Sequence, residues 1–299
     1  MKIKRSPFFY VGDKYRLMTR MLELFPSDIG RLYEPFVGGG TVAMNVRADK
    51  YLLNDVNPYV IKIHKFLSSS APTQDAFFSD VYNLVRKYGM SFSYKKDIIP
   101  DSLKQQYKKT YYAQFNKNGY VALRADTNAR RLDDSLALYV LMIYGFNRMI
   151  RLNGQSQFNL PVGNVDFNHN VAAALNDYFD FARTNKVKYS AMDFRRFLDD
   201  PAWCRDDFIY ADPPYLIASS EYNKLWHEKS ETDLLERLDA LNDKGVRFAL
   251  SNITHYNGKE NRILLKWMKK YVSHAVSSNY ISYRNNAQKK IREVLVVNY

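Results

Sequence analysis

A glycine-rich loop between two short predicted strands constrains the fold of this chain more than any other feature. Residues 31–36 are predicted to form a strand leading into Gly38-Gly39-Gly40-Thr41-Val42-Ala43, and a helix is expected over residues 41–48. The loop satisfies G-x-G-x-x-A, in which glycines let the backbone approach a ligand closely. A second strand, residues 51–53, ends just before Asp55, whose carboxylate can accept bonds from ribose hydroxyls. The pattern fits a site for NAD, FAD or S-adenosylmethionine, and a purely structural turn is the alternative.

The same alternation of strand and helix returns in the second half of the chain. Ser230-Glu231-Thr232-Asp233 is a predicted capping box for a helix that carries Leu234, Leu235, Leu238 and Leu241. The predicted strands there are residues 187–190, 207–211, 246–250 and 293–299, with residues 280–283 as the partner of the last one. Two blocks of this kind predict an α/β fold with a Rossmann-like sheet.

The stretch between these blocks differs in composition. From about residue 63 to residue 170 it is rich in Lys, Tyr, Asn and Gln. A helix is predicted from the capping residues Asp133 and Asp134 to Tyr144, with an apolar face made by Leu136, Tyr139, Val140 and Ile143. We therefore expect residues 63–170 to be an inserted, mostly helical domain, and residues 1–62 and 171–299 to form the α/β domain.

A short motif follows the predicted strand at residues 207–211. In Asp212-Pro213-Pro214-Tyr215, two prolines fix the backbone and remove two N–H donors. The carboxylate and the following carbonyls are then held rigidly beside an aromatic ring. This arrangement suits the binding of a planar exocyclic amine, and an ordinary Asp-Pro turn with a surface tyrosine is the alternative.

Charge and cysteine content narrow the class of protein. The formal net charge is +13, which favours a polyanionic partner such as nucleic acid. Cys204 is the only cysteine and the five histidines are scattered, so we expect no disulfide within the chain and no metal site. No apolar run approaches the length of a membrane span, and we expect a cytoplasmic protein without a membrane partner.

The loop, the amine-binding motif and the charge together indicate methyl transfer to a base amine. A dehydrogenase would explain the loop but neither the Asp-Pro-Pro-Tyr motif nor the charge. These residues resemble the DNA adenine-N6 methyltransferases of the Dam type, in the alpha group of amino-methyltransferases with its phage and restriction-modification branches. The resemblance rests on residues 10–14, residues 34–40, Asn54-Asp55, residues 145–153 and 158–163, residues 212–215, residues 221–226 and Ser251-Asn252.

This resemblance implies roles for particular residues. It implies a seven-stranded methyltransferase sheet with helices on both faces and an inserted target-recognition domain that carries a β-hairpin. The implied catalytic residues are Asp212, Pro213, Pro214 and Tyr215. The implied S-adenosyl-L-methionine contacts are Tyr10, Lys14, Phe36, Gly38, Gly40, Asp55, Phe194 and Asp212, with a core position as the alternative for Phe194. The implied DNA contacts are Phe146, Asn147, Met149, Arg151, Asn153, Pro161 and Lys224.

The resemblance further implies methylation of a flipped adenine in double-stranded DNA, within GATC or a related GAT-containing site. Two positions depart from enzymes that read GATC, because Phe9 and Val165 stand where basic residues are common. N4-cytosine or RNA-adenine methylation is the near alternative, and a catalytically inactive DNA-binding protein is a more distant one. We expect a monomer in a bacterial or phage-infected cell, with any cognate restriction endonuclease acting separately.

Overall fold

The computed structural model of the chain describes residues 2–10, 12–96, 99–199, 202–218, 226–276 and 291–299. Its contacts divide the chain into two compact units. The first unit contains Lys14–Asn57 and Asn185–Tyr299, and the second contains Lys2–Asp13 and Pro58–Thr184. Both units are therefore assembled from two separate stretches of sequence.

A single sheet forms the centre of the first unit. Its described strands are β1 (Arg31–Glu34), β2 (Lys50–Asn54), β3 (Val187–Ser190), β4 (Asp207–Ala211), β5 (Arg247–Tyr256), β6 (Lys259–Glu260), β7 (Val272–Ala275) and β8 (Arg292–Val297). The order is β3-β2-β1-β4-β5-β8-β7, and the two-residue β6 pairs with β5. Strands β3, β2, β1, β4 and β5 are parallel to one another, and β8 is antiparallel to β5 and β7. The predicted Rossmann-like α/β sheet is confirmed.

Burial on both faces explains the apolar sequence of the central strand. All five residues of β4 are buried, as expected for a parallel strand covered on both sides. Asp207, which opens β4, is fully buried and is held by Arg31 of β1 through Nε at 2.7 Å and Nη2 at 2.6 Å. This bidentate pair joins the beginnings of two adjacent strands.

Helices cover both faces of this sheet. The described helices of the first unit are α1 (Met18–Leu24), α8 (Phe194–Phe197), α9 (Glu228–Asp243) and α10 (Arg262–Trp267). Leu234, Leu235, Leu238 and Leu241 of α9 pack into one core with Ile209 and Phe248, on one face. On the other face, the ring of Phe25, which ends α1, lies 5.2 Å from the ring of Phe208.

Two local predictions in the first unit were wrong, and a third falls outside the described residues. Residues 41–46 form turns instead of a helix, because Asn45 Nδ2 donates to the Thr41 carbonyl at 2.8 Å and its N–H bonds the Val42 carbonyl. Helix α9 begins earlier than predicted, with His227 at its N-cap, so the predicted capping residues Ser230 and Asp233 lie within the helix. The last strand has its described partners in β5 and β7, while residues 280–283 lie outside the described residues.

The second unit is mostly helical. Its helices are α2 (Pro58–Ser70), α3 (Gln74–Lys87), α4 (Asp101–Tyr107), α5 (Tyr111–Ala129), α6 (Ser135–Tyr144) and α7 (His169–Thr184). Asp134 caps α6 as predicted, by accepting a bond from Ala137 N at 2.9 Å. The helix has no single apolar face, because every residue from 137 to 144 is buried. It is therefore the central helix of this unit.

This unit extends beyond the predicted insertion at both ends. Helix α2 packs on α7, where His64 Nδ1 lies 2.9 Å from the Tyr178 hydroxyl. Residues 2–13 also belong to it, and the Pro7 carbonyl accepts a bond from the Tyr139 hydroxyl at 3.2 Å. The assignment of residues 63–170 to DNA recognition stays a prediction.

The predicted hairpin lies between α6 and α7. Two isolated antiparallel bridges, Gly145 with Val162 and Leu152 with Phe158, hold its arms together. At its tip the Asn153 side chain accepts bonds from the backbone N–H groups of Gln155 and Gln157, each at 3.0 Å. The arms are linked by bridges and not by continuous strands in this part of the chain.

Candidate active site

Three candidate segments meet at one edge of the sheet. The glycine loop follows β1, Asp55 follows β2, and Asp212 follows β4. These strands are parallel and adjacent, with Tyr33 in register with Leu52 on one side and with Ile209 on the other. Ligands of open α/β sheets bind outside the carboxyl ends of the strands, so this edge is the candidate active site.

The glycine loop is bonded directly to Asp55. Gly38 N–H donates to Asp55 Oδ2 at 3.0 Å, and Asn57 N–H donates to Oδ1 at 2.9 Å. Gly38 and Gly40 have φ values of 47° and 75°, a backbone region that residues other than glycine rarely adopt. Burial raises the pKa of Asp55 to about 6, against the opposing effect of the two N–H groups. Each carboxylate oxygen still has a lone pair with which it can accept a ligand hydroxyl.

Two buried polar atoms near this loop have no hydrogen-bond partner among the described residues. They are Glu34 Oε1, at the end of β1, and Thr41 Oγ1, just after the glycines. Glu34 is only 2% exposed, and burial raises the pKa of its carboxyl group well above the usual range. A buried polar atom without a partner is costly, so these two atoms mark a place where a polar ligand fits.

An aromatic cluster lies beside the loop. The ring of Phe36 is 5.3 Å from that of Phe194 and 5.5 Å from that of Trp226. Phe194 is 5% exposed and belongs to the hydrophobic core, so a cofactor contact for it stays a prediction. Sequence reasoning gave Trp226 no role, although its Nε1 donates to the buried Glu231 at 2.7 Å.

The Asp-Pro-Pro-Tyr motif carries a compact hydrogen-bond network. Lys14 Nζ donates to Asp212 Oδ2 at 2.5 Å, and the Tyr215 hydroxyl lies 3.1 Å from Asp212 Oδ1. Burial, and then the neighbouring carboxylates, raise the pKa of Tyr215 well above its usual range, so its hydroxyl stays protonated. Within the described residues the buried Pro213 accepts no hydrogen bond at its carbonyl. The structure thus brings Lys14 to the predicted catalytic residues.

Sequence reasoning missed one acidic member of this network. Glu293 of β8 lies with Oε1 3.1 Å from the Tyr215 hydroxyl and 3.9 Å from Lys14 Nζ. Glu293 is only 9% exposed. The sequence predicted it only as the first residue of a strand and gave it no functional role. Glu293 could have been recognised as a charged residue within an apolar strand, because acidic side chains are rarely buried unless they are paired.

The predicted DNA contacts within the second unit lie in and around the hairpin. Phe146 is 54% exposed, and Asn147, which follows it, has a φ of 57°. Arg151 bonds across the hairpin, with Nε on Asn159 Oδ1 and Nη2 on the Asn159 carbonyl, both at 2.9 Å. Of the others, Met149 and Asn153 are half-buried, Pro161 is exposed, and Lys224 lies outside the described residues. Base contacts by these residues stay a prediction.

Tyr10 and the two departing positions also lie in the second unit. Tyr10 is half-buried and its carbonyl accepts a bond from Asp13 N–H at 3.1 Å, while its role at the cofactor stays a prediction. Two guanidinium groups lie near the Phe9 ring, with Arg148 at 4.2 Å and Arg5 at 4.7 Å from its centroid. Val165 is half-buried. Two cationic side chains therefore lie close to Phe9, which itself carries no charge.

The described part of the chain contains neither a group of side chains that could hold a metal ion nor a helix that could span a membrane. No three His, Cys, Asp or Glu side chains are placed there to hold a metal ion. No helix in the same residues is long and apolar enough to cross a bilayer.

The known proteins that this chain resembles are DNA methyltransferases. A family model, D12 class N6 adenine-specific DNA methyltransferase, matches residues 10–291. The chain is 31% identical over 308 residues to the Type II methyltransferase M.FokI of Planomicrobium okeanokoites, covering 99% of this chain and 43% of that protein. It is 31% identical over 314 residues to the modification methylase StsI of Streptococcus sanguinis, covering 100% and 43%. It is 25% identical over 307 residues to the DNA adenine methylase of Escherichia coli (strain K12), covering 99% and 96%.

The matches differ in how much of each known protein they cover. The chain spans less than half the length of the first two relatives, 43% in each case. The family model, in contrast, covers nearly the whole chain, including the glycine loop and the Asp-Pro-Pro-Tyr motif. The resemblance predicted from the motifs is confirmed, and the chain belongs to the D12 class N6 adenine-specific DNA methyltransferases.

Proposed function

We propose that this chain transfers a methyl group from S-adenosyl-L-methionine to N6 of a flipped adenine in double-stranded DNA. The observation that carries the proposal is the placement of Asp212, with Lys14 and Tyr215 bonded to it, beside the glycine loop. Relatives named DNA adenine methylase support the choice of base. The net charge of +13 supports a DNA substrate.

The residues around the loop suit this cofactor, which would supply the methyl group. Asp55 would accept bonds from the ribose hydroxyls with its remaining lone pairs. The unpartnered Glu34 Oε1 would accept a bond from the α-ammonium group. Phe36 and Phe194 offer an aromatic surface for the adenine ring of the cofactor. We propose that the methyl transfer uses no metal ion.

The chemistry assigned to Asp212 is positioning. The N6 amine of adenine is a poor nucleophile, because its lone pair is delocalised into the ring. Asp212 Oδ and the Pro213 carbonyl would accept the two amine hydrogens, which localises the lone pair and aims it at the methyl group. Their fixed positions lower the barrier through orientation and electrostatic stabilisation, without a covalent intermediate. The amine proton is lost most easily as positive charge develops on N6.

Tyr215 would bind the flipped base by stacking. Base–aromatic stacking contributes about 1–3 kcal/mol, comparable with the cost of taking the adenine out of the duplex. The Tyr215 hydroxyl lies within hydrogen-bond distance of two carboxylates and donates to one of them at a time, which restricts rotation of the ring before the base arrives. Phe146, which is exposed beside the hairpin, would fill the gap left in the duplex.

Target recognition is assigned to residues 63–170, and above all to the hairpin. We propose GATC or a related GAT-containing site, with Arg151 reading a guanine edge. The names of two relatives contain "Type II methyltransferase" or "modification methylase", which supports a place in restriction-modification beside a separate endonuclease. We propose a monomer that acts in the cytoplasm.

Nucleoside analysis tests the proposal directly. The protein is incubated with labelled S-adenosylmethionine and either a duplex of random sequence or an RNA of the same sequence. The labelled product should be N6-methyladenine from DNA, and Asp212→Ala should yield none. Labelled N4-methylcytosine, or labelling of the RNA alone, would replace the proposal with the corresponding alternative. Retained DNA binding with no labelled product would favour an inactive DNA-binding protein.

A further inference from the structure

An arginine near the start of the hairpin has no acceptor for its side chain. The guanidinium group of Arg148 lies over the ring of Phe9, 4.2 Å from its centroid, and makes no hydrogen bond or ion pair among the described residues. Arg148 is half-buried, and burial lowers the pKa of its guanidinium to about 10, so the group stays charged at neutral pH. A half-buried cation without a partner is unfavourable, because burial removes water that no protein group replaces.

The charged groups that act on Arg148 do not satisfy this cation. Arg5, whose guanidinium lies 4.7 Å from the centroid of the same ring, carries a like charge and lowers the pKa of Arg148 further. Asp166 attracts Arg148 from a distance, while its carboxylate accepts bonds from the N–H and the hydroxyl of Ser93, both at 2.8 Å. Arg148 is therefore a cation that lacks an acceptor in this part of the chain.

The backbone around Arg148 is strained. Asn147 and Arg148 have φ values of 57° and 50°, and Phe9, the ring partner, has a φ of 48°. Residues other than glycine rarely adopt this region, because the side chain crowds the backbone. Strained residues persist where the surrounding structure enforces them, and they cluster at ligand-binding positions. Here each of them either belongs to the contact between Arg148 and Phe9 or adjoins it.

The contact with Phe9 holds the guanidinium without using its hydrogen-bond donors. A ring attracts a cation through its quadrupole, so the N–H groups of Arg148 stay available to a ligand. The planar fork of an arginine matches the O6 and N7 acceptors of guanine in the major groove. Phe146, which is 54% exposed, is the residue proposed to enter the duplex. Arg148 follows it by two residues, so their Cα atoms are at most about 7 Å apart.

We infer that Arg148 reads a guanine edge in the recognition site, at a base pair other than the one read by Arg151. The inference rests on the proposed function, which assigns DNA recognition to the hairpin. Arg151 lies at most about 11 Å further along the chain, which corresponds to about three base-pair steps. It uses Nε and Nη2 on Asn159, whereas no donor of the Arg148 guanidinium is used within the described residues. Phe9 has no side-chain donor, so base reading at its position falls to Arg148.

The substitution Arg148→Ala tests this role on a randomised duplex library. Sequence preference is read from the methylated duplexes and, separately, from the duplexes that the protein binds. We expect kcat/KM on the preferred site to fall about 5- to 150-fold, the equivalent of one bidentate guanine contact, and the preference to relax at one base pair. That base pair should differ from the one relaxed by Arg151→Ala. Arg130→Ala, at the exposed C-cap of α5, is the matched control and should leave the preference unchanged.

Two further variants separate base reading from a structural role. Arg148→Gly suits the positive φ, so it should keep or raise the melting temperature while it relaxes the same base pair. It also decides the matter if Arg148→Ala does not fold. Phe9→Leu removes the ring and keeps an apolar side chain, so its effect at that base pair should not add to the effect of Arg148→Ala.

Three results would overturn the inference. They are equal weakening on all sequences with a salt slope reduced by about one, which indicates a phosphate contact; an unchanged preference in the Arg148 variants; and relaxation at the same base pair as Arg151→Ala. An absence of methylated product with the wild type would instead refute the proposed function. The bound duplexes would in that case still decide the role of Arg148.

Discussion

Asp55 links the glycine loop to the proposed cofactor, and its ionisation should control cofactor affinity. Burial raises its pKa to about 6, so at pH 7 it is mostly a carboxylate and at pH 5 mostly a carboxylic acid. Only the ionised form has acceptor capacity left for two ribose hydroxyls after binding the N–H groups of Gly38 and Asn57.

The size of the effect follows from this pKa. Protonation at pH 5 should weaken S-adenosylmethionine binding roughly tenfold relative to pH 7, or about 1.4 kcal/mol. The direction is that of an acid required in its ionised form, so affinity is complete above the pKa and is lost as pH falls through about 6. Because folding raises this pKa, the folded protein takes up the proton before the unfolded chain does. Protonation of Asp55 therefore favours the folded state as pH falls, and the lost affinity is not caused by unfolding at this residue.

Calorimetric titrations of the wild type and Asp55→Asn at several pH values test this reasoning. The variant should bind more weakly at pH 7 by about 1.5–3 kcal/mol, the range for hydrogen bonds to a charged group, and its affinity should not follow the wild-type pH curve. Glu34 is common to both proteins, so the difference between the two curves isolates Asp55. Wild-type affinity that is equal at pH 5 and pH 7, or an identical pH curve in the variant, would refute the assignment.

Three other outcomes are expected. Asp212→Asn should lower the methyl-transfer rate by at least about 100-fold in a single-turnover assay and leave DNA binding intact; substantial turnover would remove Asp212 from catalysis. Arg151→Ala should cost about 1–3 kcal/mol on the preferred site and relax the preference at one base pair in a randomised duplex library, whereas equal weakening on all sequences would indicate a phosphate contact. Arg31→Ala should destabilise the fold by about 3–5 kcal/mol in denaturant titrations, because it leaves the buried carboxylate of Asp207 without its cation; an unchanged midpoint would contradict this.

The sequence predicted the elements that depend on local pattern. The strands at residues 187–190 and 207–211 have the predicted bounds, and the second is an apolar run that a turn signal ends. The cap of α6 at Asp134 and the apolar stripe of α9 were also predicted correctly. Asp55 and Asp212 could be placed at strand ends because each directly follows a predicted strand in the sequence.

What the sequence did not predict depends on tertiary contacts. Glu293 meets Lys14 and Tyr215 only because β8 inserts between β5 and β7, and no local pattern encodes that insertion. Residues 230–233 fitted a capping box, but helix α9 begins upstream of them at Glu228. Glu231 is instead a buried acceptor for the side chains of Trp226, Asn252 and Asn261, which no local pattern indicated. Side-chain competition at Asn45 likewise replaced a predicted helix with turns.

The central claim is methylation of adenine N6 in DNA by a site built around Asp212. The most direct measurement is methylation-sensitive sequencing of DNA from cells that express the wild-type chain or the variant Asp212→Ala and lack other adenine methyltransferases. The account predicts N6-methyladenine at a GAT-containing site with the wild type and none with the variant. DNA without N6-methyladenine in cells that contain the folded wild-type protein, or equal methylation with the variant, would contradict it.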